Sequence, residues 1–110
     1  MPALSYSDFA KVEMRVGRII AVADFPEARK PAYRLTLDFG PYGIRKSSAQ
    51  VMNYTKEALL NRLIVAVVNF PPKQIGPFKS EVLVLGAINA DDSVILVSPD
   101  ESAELGAPIA

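Results

Sequence analysis

The segment Arg45-Lys46-Ser47-Ser48-Ala49-Gln50 gathers two cations, two hydroxyls and an amide in six residues. Groups of this kind donate to phosphates, ribose hydroxyls and base edges. Extended as a strand, the segment sends Arg45, Ser47 and Ala49 to one face and Lys46, Ser48 and Gln50 to the other. The same composition also suits an edge strand kept polar against aggregation. A second segment, Asn69 to Ser80, interleaves Lys73 and Lys79 with Phe70, Phe78 and three prolines. Aromatics beside cations suit stacking on bases or packing on apolar peptide groups, unless both rings plug the end of the fold. A third loop of this type runs from Phe25 to Pro31.

Other chemistry is excluded by what the chain lacks. It has no histidine and no cysteine in 110 residues. That rules out Ser-His-Asp and Cys-His catalysis, an imidazole base near neutrality, a Cys/His zinc site and any disulfide. The adjacent acids Asp91-Asp92 and Asp100-Glu101 sit in turn-like polar surroundings and read as solvated loops. The six glycines form neither a dinucleotide-binding nor a phosphate-loop pattern. We therefore expect a binding protein rather than an enzyme, with no cofactor and no metal.

Charge sharpens this expectation. The 12 basic and 12 acidic side chains cancel in sum but not in place. Residues 29 to 79 hold nine bases and two acids, a local +7, and residues 80 to 110 hold six acids and no base. Either the halves neutralise each other across the fold, or one face stays basic and steers polyanions. Polar Ser5, Tyr6, Ser7 and Asp8 deny the start a signal-peptide core. The longest apolar stretch, Leu63 to Val68, is far short of a ~20-residue membrane span. The expectation is a cytoplasmic chain with no membrane insertion.

The elements that must position these residues are mostly strands. Tyr33, Leu35, Leu37 and Phe39 alternate with Arg34, Thr36 and Asp38, the period of a half-buried strand. Val16 to Val22, Gly43 to Val51, Leu63 to Phe70, Val82 to Leu85 and Val94 to Val97 read as further strands. Gly17 fits a sharp bend in the first, and Gly40-Pro41-Tyr42-Gly43 a hairpin turn. Thr55 caps a short helix through Leu60, and Ser5 or Ser7 starts another near Phe9. Five or six short strands with one helix between the third and fourth suggest a single domain over 1–110. Its fold class is all-β, a five-stranded OB-fold barrel, with a β-sandwich or SH3-like barrel as the alternatives.

Lys11-Val12-Glu13-Met14-Arg15-Val16-Gly17-Arg18-Ile19 resembles the first-strand signature of the tRNA-binding-domain OB-fold family. Phe25 to Arg29, Gly43 to Gln50, Val67 to Ile75 and Phe78 to Gly86 extend the resemblance over nearly the whole chain, towards the family's export-related chaperone branch. The resemblance implies terminal extensions that build a homodimer. It implies binding of unfolded preproteins and of the export ATPase SecA, together with the parent domain's tRNA affinity. The positions matching the family's tRNA contacts are Arg15, Arg45, Lys46, Ser47, Ser48, Gln50, Lys73, Lys79 and Ser80. Many relatives continue the last motif with a serine, a variable residue and a glycine. This chain has Ser80-Glu81-Val82, which adds a negative charge beside that surface.

Two functions follow. One is a chaperone that binds unfolded preproteins or peptides without ATP, through grooves lined by Phe25, Tyr33, Met52, Tyr54, Phe70 and Phe78. Some of these must serve the core instead, so two or three of the six are expected to be exposed. The alternative is a structure-directed tRNA-binding protein whose basic middle supplies phosphate contacts. Leu4, Tyr6 and Phe9 at the start, and Leu105 to Ile109 at the end, are apolar. They suit docking onto a second copy or capping of the barrel within one chain.

Overall fold

The alternation at Tyr33 to Phe39 becomes burial. Tyr33, Leu35, Leu37 and Phe39 lie inside, and Arg34, Thr36 and Asp38 are half-exposed. The computed structural model describes residues 1–110. A short helix α1 (Tyr6–Phe9) precedes β1 (Met14–Asp24), β2 (Tyr33–Asp38) and β3 (Ile44–Ala49). Helix α2 (Lys56–Leu59) leads into β4 (Leu63–Val67), which is followed by the hairpin β5 (Lys73–Ile75) and β6 (Phe78–Ser80). β7 (Leu83–Val84), β8 (Gly86–Ile88) and β9 (Val94–Leu96) complete the order. The main sheet runs β3-β2-β1-β4-β7 and curls into a nearly closed barrel, an all-β OB-fold with α2 between its third and fourth strands.

β1 serves two partners. Its first half pairs antiparallel with β4, from Met14↔Val67 to Arg18↔Leu63, and its second half with β2, ending at Asp24↔Tyr33. The β2 register slips between Ile19 and Ala21, so a bulge at Ile20 makes the bend. Gly17 has a different role from the bend expected of it. A Cβ there would stand 2.8 Å from the Phe39 ring, so glycine lets Phe39 lie against the strand. The core gathers Ile19, Leu35, Leu37, Phe39, Ile64, Ala66, Val82 and Leu96 around Leu59, the buried residue of α2. Thr55 caps α2 as expected, its Oγ1 accepting from the Ala58 N–H at 3.1 Å. Ser5 does the same for α1.

Three elements differ from expectation. The proline-rich segment after β4 is a hairpin, β5–β6, that turns at Gly76 in the left-handed region. Residues 86 to 88 pair with β9 in a second hairpin. The end of the chain pairs along β1, where docking on a second copy or capping of the barrel was expected. Gly106 and Ile109 donate their N–H groups to the Val16 and Met14 carbonyls at 2.8 and 3.0 Å, and the Val16 N–H donates to the Ala107 carbonyl at 3.0 Å. The segment thus adds a strand to the edge of β1 that β2 leaves open. The start is different: α1 buries nothing, and Leu4, Tyr6, Phe9 and Val12 stay exposed.

Candidate functional site

The alternation of β3 sorts the expected RNA contacts. Ser47 points inward, fully buried, and donates to the Val82 carbonyl at 2.9 Å. Arg15 is also committed to the fold. Its guanidinium lies 3.9 Å over the Tyr42 ring, donates to the Gly106 carbonyl at 2.9 Å and faces Glu13 at 3.6 Å. Ser47 is therefore not presented to a partner, which corrects its placement on the binding surface. Arg45 lines a separate cleft with Glu13, Arg15 and Tyr42. Lys46, Gln50, Lys73 and Lys79 are exposed, and Ser48 and Ser80 half-exposed.

These outer residues converge with a loop. The 25–32 loop, the end of β3 and β5 wall a cleft of about 440 Å³ lined by Arg29, Lys30, Ser48, Gln50, Lys73 and Gln74. Arg34, Thr36 and Lys46 line a smaller hollow beside Phe78. Arg29, Lys30 and Gln74 lie in the two loop segments that the sequence marks as candidate binding stretches, though none is among its named contact residues, and Arg34 belongs to the basic middle. That middle keeps its charge. The four ion pairs are Lys11–Asp8, Arg15–Glu13, Arg18–Glu101 and Lys56–Asp24. None joins residues 29–79 to the acidic end, and Arg29, Lys30, Lys46, Lys73 and Lys79 form no ion pair. Such a surface attracts phosphates.

The aromatic set divides. Phe25 and Tyr33 are buried, 4% and 7% exposed, and so line no groove, contrary to expectation. Phe25 meets Phe78 edge-on with ring centroids 5.2 Å apart, which docks the β5–β6 hairpin on the 25–32 loop. Tyr33 donates its hydroxyl to the Tyr54 carbonyl, and the half-buried Tyr54 hydroxyl accepts from the Leu96 N–H. Only Met52 and Phe70 are exposed, 45% and 53%.

An apolar seam opens where the barrel is not fully stitched, with Leu83 as its one exposed large side chain. Between the end of β3 and β7–β9 runs a seam of about 240 Å³ lined by Ala49, Val51, Leu83, Val84, Leu85, Val94 and Leu96, with Ser48 and Gln50 at the rim. The backbone and amide of Gln50 make no hydrogen bond. Because the Leu85 N–H bonds to the Val65 carbonyl on β4, strand alternation turns the Val84 peptide groups towards the seam. Glu81 closes the barrel beside it. Its N–H donates to the Lys46 carbonyl at 2.7 Å, and its Oε1 accepts the Lys46 N–H at 3.0 Å. The acid at the variable position of the family pattern therefore stands in for a strand's carbonyl.

No cluster of three or more His, Cys, Asp or Glu side chains could hold a metal ion. No helix is long and apolar enough to cross a membrane. The adjacent acids lie in exposed turns; Glu101 pairs with Arg18 at 3.4 Å. Asp91 accepts from the Ser93 hydroxyl at 2.6 Å and from its N–H, which together hold its carboxyl below the ordinary value. These are turn geometries, and they face no pocket.

Comparison with known proteins agrees with this picture. The family model "Putative tRNA binding domain" matches residues 14–108. The chaperone CsaA of Picrophilus torridus superposes with a TM-score of 0.93 at 54% identity, covering 98% of this chain and 100% of that one. CsaA of Bacillus anthracis gives 0.93 at 43% identity over 99% and 100%. The methionine–tRNA ligase of Pyrococcus horikoshii is 36% identical over 99% of this chain, and the chain spans 15% of that enzyme's length. The chain belongs to the tRNA-binding-domain family and, within it, is of the CsaA type.

Proposed function

We propose that this protein is a non-catalytic, cytoplasmic chaperone of protein export that holds unfolded preprotein segments without ATP. The observation that carries the reading is the apolar seam with the unpaired peptide groups of Gln50 at its rim. An extended polypeptide satisfies both features at once. Its main chain meets Gln50, and its side chains cover Leu83, Val94 and their neighbours. Shallow contact of this kind is tolerant of sequence and releases clients by mass action. The two similar solved structures are described as chaperones. SecA as the receiving partner follows from the family resemblance. A homodimer is supported by the uncovered apolar start, Leu4, Tyr6, Phe9 and Val12.

The test is a titration of a fluorescent, permanently unfolded polypeptide in nucleotide-free buffer. Binding is expected with the natural chain, and Leu83→Asp, a half-exposed position, is expected to weaken it at least tenfold. Equal binding by the variant, or no binding by either chain, overturns the reading.

A second reading, tRNA binding, is favoured by the uncompensated Arg29, Lys30 and Lys73 of the cationic cleft. Three phosphate contacts predict a slope of about −3 in log affinity against log salt. The double reversal Arg29→Glu with Lys30→Glu should flatten that slope by about two and spare polypeptide binding. A salt-independent tRNA affinity, or an unaltered slope in the variant, removes this reading.

A further inference from the structure

We propose that a cleft beside the cationic one is a pocket for a single unpaired nucleobase bearing amino donors on its pairing edge, guanine foremost; this rests on the RNA reading. The cleft measures about 350 Å³ and is walled by Phe70, Pro71 and Leu83 on its apolar side and by Lys73, Ser80 and Glu81 on its polar side. It is large enough for a base with its sugar.

Each wall has a distinct role. Phe70 leaves an aromatic ring 53% exposed, which is a platform on which any base stacks. Lys73 pairs with no acid and lines both this cleft and the cationic one. A strand whose phosphates rest in the cationic cleft can therefore turn its next base inward past one shared ammonium. Lys73 and Ser80 stand opposite each other in the hairpin register, which fixes their spacing.

The polar atoms select the base. Ser80 Oγ already accepts from the Ser48 N–H, so its hydrogen remains to donate. Glu81 Oε1 accepts the Lys46 N–H, and Oε2 has no partner. An ionised carboxylate only accepts, with about four lone-pair sites across its two oxygens. Guanine offers it adjacent N1–H and N2–H donors, and cytosine and adenine one amino group each. Uracil flanks its single N–H with two carbonyls, which the carboxylate repels. An apolar side chain could cover the Phe70, Pro71 and Leu83 wall, but only an occupant with donors also serves the carboxylate at the cleft's polar edge.

The experiment uses fluorescent RNA stem-loops that share one stem and differ in a three-nucleotide 3′ tail of G-, A-, C- or U-containing sequence, beside a blunt stem. The G tail is expected to bind about tenfold more tightly than the U tail, a difference of one good base contact. Phe70→Ala should bring every tail down to the blunt stem. Glu81→Gln keeps an oxygen for the Lys46 amide, and so should preserve the melting temperature while abolishing the preference for G over U. Binding that ignores the tail, tails that bind alike whatever their base, or variants without effect overturn the pocket and leave the cationic cleft standing. Failure of every RNA, blunt stem included, overturns the RNA reading itself. Loss of unfolded-polypeptide binding in Phe70→Ala with unchanged tailed-RNA binding assigns the cleft to polypeptide and overturns the proposal.

Discussion

Ser47 and Lys46 are neighbours with opposite fates, and the difference is one of strand period. Their residue types alone would send both to an RNA surface. The register Leu35↔Ser47 puts the hydroxyl against the core, where the Val82 carbonyl needs a donor. The same ambiguity hid Phe25 and Tyr33, since an aromatic side chain suits a rim or a core equally. Met52 and Phe70 met the expectation that two or three of the six would be exposed. Asp91 gives a residue-scale prediction. The hydrogen bonds from the Ser93 hydroxyl and N–H hold its carboxyl below the ordinary carboxylate range. Its contribution to stability is thus present above the unfolded value and is lost as pH falls through the folded one. In Ser93→Ala the Asp91 carboxyl resonance should titrate closer to the ordinary value, with no effect on polymer binding. An unmoved titration would show that the turn does not hold the charged form.

At the scale of elements, the segments with strong local signals were legible. Period-two burial marked β2, the Thr55 cap marked α2, and the apolar run marked β4. The hairpin β5–β6 was not, because three-residue strands framed by Pro71, Pro72 and Pro77 read as a stiff loop. Pairing of 106–109 with β1 is invisible to local patterning, since the partners lie some ninety residues apart. Two predictions belong here. Leu59→Ala removes the buried plug of α2 and should cost about 2–5 kcal/mol, read by denaturant melts. Cutting the chain after Pro99 removes the strand beside β1 together with the Arg15–Gly106 contact. At about 1 kcal/mol per lost hydrogen bond, the barrel should lose about 2–5 kcal/mol and expose an edge prone to association. A truncated chain that melts like the full one would show that the terminal strand is dispensable.

For the whole molecule, the sum of charge says nothing and its distribution says most. The basic middle could have been cancelled by the acidic end, and no ion pair does so. The family resemblance suggests which face meets a ligand. Only the folded chain brought Arg29 and Lys30 beside Lys73, and only barrel closure explained why an acid follows Ser80. Dimerisation through the uncovered start predicts that Leu4→Asp with Phe9→Asp yields a monomer in light scattering at the same melting cooperativity. A mass unchanged from that of the natural chain would place any dimer contact elsewhere.

The tail that pairs with β1 has one more consequence. In deuterated solvent, terminal amides ordinarily exchange at once, as those of α1 should. Gly106 and Ile109 donate into the central strand of the sheet, so their amides should persist alongside those of Ala66 and Leu37, and disappear only when the barrel itself opens.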